Sequence, residues 1–105
     1  MEPNTTKRYA TANLVGKVDE ETQRLLWMLL DTFLSETIEP DYLQVFKLEV
    51  VEHEEGPLQR VIRSQEIPPL QQEEGCFNVT KPFEGTVWVY LDSAGSQTMM
   101  LPEDW

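Results

Sequence analysis

The side chains with the types to do chemistry are few. His53 stands among Glu52, Glu54 and Glu55, Cys76 is a single cysteine, and Gln44, Arg63 and Gln65 interrupt stretches rich in Val, Ile, Leu and Phe. A histidine among carboxylates could hold a divalent cation, but "EHEE" has no recognised ligand spacing and reads better as a solvated hairpin tip. One His and one Cys, neither in a recognisable setting, make no case for a nucleophile and its base. Cys76 sits in "EEGCFN", acidic surroundings rather than the electropositive ones that activate thiols, and alone it can form no internal disulfide. No G-x-S-x-G, P-loop or G-x-G-x-x-G pattern occurs. No catalytic residue, metal site or cofactor is therefore expected.

The candidates that remain need elements to position them. Residues 8 to 15, "RYATANLV", suit a first strand, and Gly16 breaks it. Asp19 is a candidate N-cap, with Glu20 and Glu21 set against the positive end of a helix running to Glu36. Such a helix is about 27 Å long at 1.5 Å per residue. A 100° step puts Leu25, Leu26, Leu29, Leu30, Phe33 and Leu34 on one stripe, Trp27 at its edge and Met28 outside it. Docking is expected through Leu26, Leu29, Leu30 and Phe33. A helix of this kind must be buried against something, and the rest of the chain offers strands.

Residues 42 to 53 and 58 to 67 form a hairpin turning at Glu55-Gly56-Pro57, stopped by Pro68 and Pro69. The segment "LQQEEGCFNVTKPFEG" reads mainly as a loop with room for a short strand, and 86 to 92 and 97 to 101 are further strands. With the turn centred between Glu55 and Gly56, Phe46 faces Gln65 and Leu48 faces Arg63. One face then carries Phe46, Leu48, Val50, Val61 and Ile67, with Gln44, Arg63 and Gln65 as polar exceptions. Two readings of these exceptions compete. In the structural one, Arg63 runs its methylenes along the core edge toward solvent or Asp31, and the glutamines pair with backbone at the sheet end. In the functional one they form a ligand-binding patch beside Tyr42. The structural reading is favoured.

The fold class expected is α+β: one amphipathic helix packed on a mostly antiparallel sheet of four or five strands, a single domain over 1–105 with residues 1 to 7 flexible. The 105 residues are 40% hydrophobic, with three Trp, three Tyr and four Phe, enough to pack a core. Nineteen acids against eight Lys and Arg give a formal net charge of −11, which disfavours direct binding to nucleic acid or to an anionic membrane. No apolar leader or membrane-length stretch is present, so a cytoplasmic location is expected. At the other end, "TMMLPEDW" reads as a strand in which one Met enters the core and the other points outward, and Pro102 then releases the chain. Trp105 either folds back over the core edge or is an exposed anchor for a partner.

"RYAT", "LLWMLLD", "DYLQVFKL", "IRSQEIPP", "TVWVYLD" and "TMMLPEDW" together resemble a small uncharacterised family first described from staphylococci, catalogued as domain of unknown function 960. The resemblance spans nearly the whole chain. It implies a small protein of low-GC Gram-positive bacteria or their mobile elements, and it carries over no catalytic residue. The leading expectation is a small non-catalytic cytoplasmic binding or regulatory protein, monomer or homodimer, acting on a protein partner. One alternative is an acidic mimic of nucleic acid that occupies a basic protein groove. The other is an enzyme or small-ligand binder using Tyr42, Gln44, Arg63 and Gln65.

Overall fold

The computed structural model describes residues 7–37 and 39–105. The expectation that residues 1 to 7 are flexible therefore falls, for 1 to 6, outside the described residues. The chain runs β1 (Arg8–Ala10), α1 (Ala12–Lys17), α2 (Glu20–Glu36), β2 (Leu43–Val51), β3 (Leu58–Gln65), β4 (Leu70–Phe77), β5 (Gly85–Leu91) and β6 (Gln97–Met100), then a 3₁₀ turn at Pro102–Asp104. One sheet takes the order β1-β6-β5-β2-β3-β4. The β1–β6 pair is parallel and the other pairs are antiparallel.

Helix α2 starts and faces as its sequence dictates. The Asp19 side chain accepts from the Glu21 amide, Glu20 and Glu21 occupy the first turn, and Leu25, Leu26, Leu30 and Phe33 are buried. Leu29 and Leu34 are half-buried against the same core, and Met28 is exposed. The facing sheet residues are Phe46, Leu48, Val61, Val87, Val89 and Met99. The even positions of β2 and the odd positions of β3, β5 and β6 thus look toward the helix, as the two-residue period requires.

The structure corrects several local expectations. The first strand ends at Ala10, because Thr11 caps a short helix: its hydroxyl accepts from the Leu14 amide, and Leu14 enters the core. The hairpin pairs Phe46 with Arg63 and Leu48 with Val61. Its centre lies one residue earlier than expected, which moves every partner by two and leaves each side chain on its expected face. Ile67, expected on the apolar face, lies beyond β3 and is exposed. The segment expected to be mainly loop contains the eight-residue strand β4, a sheet edge. Met99 and Met100 are both buried, but only Met99 joins the core; Met100 lies across from Trp88, on the face away from the helix.

Candidate functional site

The polar residues of the hairpin meet on the helix side of the sheet. Gln44 and Gln65 are buried, and the Gln44 amide donates to Gln65 Oε1 at 2.8 Å and to the Asp41 carbonyl at 2.9 Å. The Gln65 amide donates to the Pro68 carbonyl at 3.1 Å, and Asp41 Oδ2 accepts from the Glu66 and Ile67 amides. Together they staple the entrance of β2 to the exit of β3, and this supports the structural reading for the two glutamines.

Arg63 behaves otherwise. Its side chain is 2% exposed and does not run out to solvent or to Asp31, which pairs with Arg8 instead. Its Cζ stacks 3.6 Å from the Phe33 ring centroid, Nη1 donates to Gln44 Oε1 at 3.3 Å, and Nε donates to Glu74 Oε2 at 3.4 Å. Glu74 can reach inward because β4 bulges. Val61 pairs with Gly75 and Ile62 with Glu73, so Glu74 is the extra residue. Gly75 sits at φ +128° there, a conformation that glycine adopts without a Cβ penalty. Two adjacent glutamates thus serve opposite faces. Glu73 turns outward and holds Arg60 through three contacts of 2.7–3.2 Å. Arg60's hydrogen bond holds the Glu73 carboxyl below its usual range, and Glu73 holds Arg60 above its already high value.

The nine residues lining the space above Arg63 include Leu29, Phe33, Glu36, Leu70 and Glu74, around a cleft of about 220 Å³. It lies between the end of α2 and strands β3 and β4.

The opposite face of the sheet has no helix over it among the described residues. A row of aromatic rings crosses it. Tyr42 meets Tyr90 edge-on at 6.0 Å, Tyr90 meets Trp105 at 5.4 Å, and Trp105 meets Trp88 at 6.0 Å. Tyr42 is 55% exposed and Trp105 64% exposed. Val45, Ser64 and Ile67 flank the Tyr42 end, where a second cleft of about 210 Å³ opens. The five residues singled out from the sequence are therefore divided: Gln44, Arg63 and Gln65 lie under the helix, while Tyr42 and Trp105 lie on the open face.

Trp105 is held there by its neighbours. Asp104 Oδ2 accepts from the Thr11 hydroxyl at 2.7 Å and from the Leu101 amide at 3.0 Å, and Asp104 Oδ1 accepts from Asn13 at 3.1 Å. The Thr11 hydrogen bond, helped by those from Leu101 and Asn13, holds the Asp104 carboxyl below the usual aspartate value.

A family model described as a staphylococcal protein of unknown function, domain of unknown function 960, matches residues 7–104. The chain belongs to this family. No curated protein matches the chain. A crystal structure of a protein of unknown function from Enterococcus faecalis is similar at 18% identity, with a TM-score of 0.73, over 98% of this chain and 93% of that one. At that identity the likeness speaks for the fold alone.

In this domain of unknown function 960 protein, several residues that organise the two faces escaped the sequence reading. Gln59 is fully buried; its amide donates to the Glu49 and Phe83 carbonyls and its Oε1 accepts from the Phe83 amide, fastening the loop before β5. Its signal was present, a polar residue at a core-facing odd position of β3. Trp88 and Tyr90 alternate with Val87 and Val89, so the outward aromatics were legible as well. Asp104 could not be found, because its partners Thr11 and Asn13 come from the other end of the chain. His53 lies outside β2 at the exposed hairpin tip, its Nδ1 accepting from the Glu55 amide at 3.4 Å. Among the described residues no three His, Cys, Asp or Glu side chains gather where a metal could be held.

Proposed function

We propose that the protein is a small non-catalytic cytoplasmic binding protein that engages another protein through the open face of its sheet. The observation that carries this reading is the aromatic row Tyr42–Tyr90–Trp105–Trp88, with Tyr42 and Trp105 exposed and Trp88 and Tyr90 half-buried, on a face no α-helix covers among the described residues. Large rigid side chains with polar tips bury much surface at low entropic cost, and Trp and Tyr dominate the energetic centres of protein interfaces. A contiguous exposed apolar patch of this kind is a feature of interaction surfaces.

An aromatic platform on an open sheet also suits stacked nucleic-acid bases, but such platforms work within a basic surface. This chain carries a formal net charge of −11, so the partner is a protein with a basic rim around an apolar contact. The cytoplasm suits an exposed free thiol at Cys76.

The test is site-specific photo-crosslinking in lysate of a staphylococcal-type bacterium, with the probe at Tyr42 or, as a control, at Met28 on the exposed side of α2. The reading expects one protein captured from Tyr42 but not from Met28, with capture abolished by Trp105→Ala and weakened by salt. Equal capture from both positions, or capture indifferent to Trp105→Ala, overturns it.

A further inference from the structure

The cleft over Arg63 holds a feature that the packing of the fold does not account for. Arg63 is almost completely buried, yet of its guanidinium nitrogens only Nε and Nη1 have protein partners, at 3.4 and 3.3 Å. Nη2 donates to nothing among the described residues. It is also not sealed in: among the described residues the buried side-chain polar atom left without a partner is Thr22 Oγ1, which does not line this cleft. Nη2 therefore opens on the cleft that Arg63 lines. A buried guanidinium whose charge serves structure alone has its donors covered, because each donor buried without a partner is costly. Here the two N–H donors of Nη2 lack a protein partner, on a guanidinium stacked on Phe33 that lines a space large enough for a small molecule.

The surroundings of Nη2 define what fits. Two carboxylates line the same cleft, Glu74, which already accepts from Arg63 Nε, and Glu36, on an exposed residue. The cleft also borders the end of α2, whose last turn has no basic residue and whose terminal carbonyls carry partial negative charge. One guanidinium against two carboxylates and a helix C-terminus, on a chain of net charge −11, is a poor site for a simple anion. It is a matched site for a molecule carrying both signs. The remaining lining is mixed: Leu29, Phe33 and Leu70 are apolar, and Thr32, Thr37 and Gln72 are polar.

We propose that this cleft binds a small zwitterion of the α-amino-acid type with an apolar side chain. Its carboxylate lies on Arg63 Nη2, its ammonium toward Glu36 and Glu74, and its side chain against Leu29 and Leu70. The volume of about 220 Å³ lies below the range typical of drug-sized ligands and matches a ligand of amino-acid size. The site is on the helix side of the sheet, so this inference stands apart from the partner surface on the open face.

Amide NMR spectra of the whole chain, titrated separately with L-leucine, L-methionine, isocaproate, isoamylamine and inorganic phosphate, test it. An apolar amino acid should shift the Arg63, Leu70 and Gln72 amides saturably, while the acid-only and amine-only analogues bind about tenfold or more weakly, the loss for one missing charge contact worth about 1.4 kcal/mol. Glu36 is exposed, so Glu36→Gln leaves the fold intact and should weaken L-leucine severalfold. No saturable shift with either amino acid overturns the proposal, as does isocaproate or phosphate binding as well as L-leucine, or an affinity unmoved by Glu36→Gln.

Discussion

The Arg63 guanidinium lies 3.6 Å from the centroid of the Phe33 ring, so a charge from the sheet rests on an aromatic ring from the helix. The contact joins the two layers at a point where an apolar pair would be the simpler solution. Its counter-charge is Glu74, with side-chain exposures of 2% for Arg63 and 10% for Glu74. Breaking one side of such a buried pair leaves an uncompensated charge, at a cost of about 3–5 kcal/mol, whereas replacing both partners with apolar residues is often neutral. Glu74→Gln should therefore lower the urea midpoint sharply, and Arg63→Met with Glu74→Leu should recover most of the loss. A Glu74→Gln protein as stable as the parent would mean that Arg63 draws its compensation from elsewhere.

Thr22 should be a stabilising position. It is fully buried in α2, and its hydroxyl has no partner among the described residues. The nearby carbonyls are already taken: that of Asp19, three residues back, accepts from the Gln23 backbone amide at 3.0 Å, and that of Val18, ahead of the helix, accepts from the Gln23 side-chain amide at 2.8 Å. Thr22→Val keeps the shape and removes the orphaned hydroxyl, whose desolvation costs about 1–3 kcal/mol. The expected result in a thermal melt is a rise of several degrees, since about 1 kcal/mol moves Tm by roughly 4–8 °C in a domain of this size. A fall in Tm would show that the hydroxyl is bonded in solution.

The fold was legible where burial imposes a period on the sequence. Helix α2 shows its stripe because only one side meets the sheet, and β2, β3 and β5 show alternation because one face is packed and the other is not. Strand β4 was hidden because an edge strand is polar on both faces, a composition that discourages pairing with other chains. The bulge at Glu74 was hidden for a related reason: no apolar alternation in β4 marks where the register slips. Of the candidate site, the buried polar positions could be read, but their partners could not. Arg63 was expected to reach solvent or Asp31, yet Asp31 is claimed by Arg8 in β1, a pairing fixed only by the strand order.

Acid should loosen the C-terminal tail before it unfolds the sheet. The Asp104 carboxyl is held below its usual value chiefly by the Thr11 hydroxyl, and that of Glu103 by its own backbone amide and Asn13. A carboxylate whose folded pKa is depressed contributes stability that is fully present above the unfolded value, about 4, and is lost as pH falls through the folded one. Tail order followed by Leu101 amide exchange or Trp105 fluorescence should thus hold at neutral pH and fail below about pH 4. Asp104→Asn should loosen the tail at neutral pH and flatten the acid response. An acid transition unchanged in Asp104→Asn would place its cause at other carboxylates, such as Glu21 against the Thr80 amide.

Trp105 and Asp104 divide the work of the tail, and single substitutions separate their roles where deletion of residues 103 to 105 merges them. Asp104 makes the hydrogen bonds that tie the tail to Thr11 and Asn13, so Asp104→Ala should lower Tm by several degrees. Trp105 touches Trp88 and Tyr90 edge-on but remains 64% exposed, so truncating it gives up little burial. Edge-to-face pairs add about 0.5–1.5 kcal/mol at most, and exposed substitutions generally stay within about 0.5 kcal/mol. Trp105→Ala is therefore expected to move Tm by less than Asp104→Ala does, while abolishing capture of the partner at the Tyr42 probe. The opposite pattern, a melting loss from Trp105→Ala as large as that from deleting the three residues, would make the ring a structural cover for Met100 and the edge of the core. The open face would then lose the centre of its proposed interface, and Tyr42 alone would be too small an anchor to sustain it.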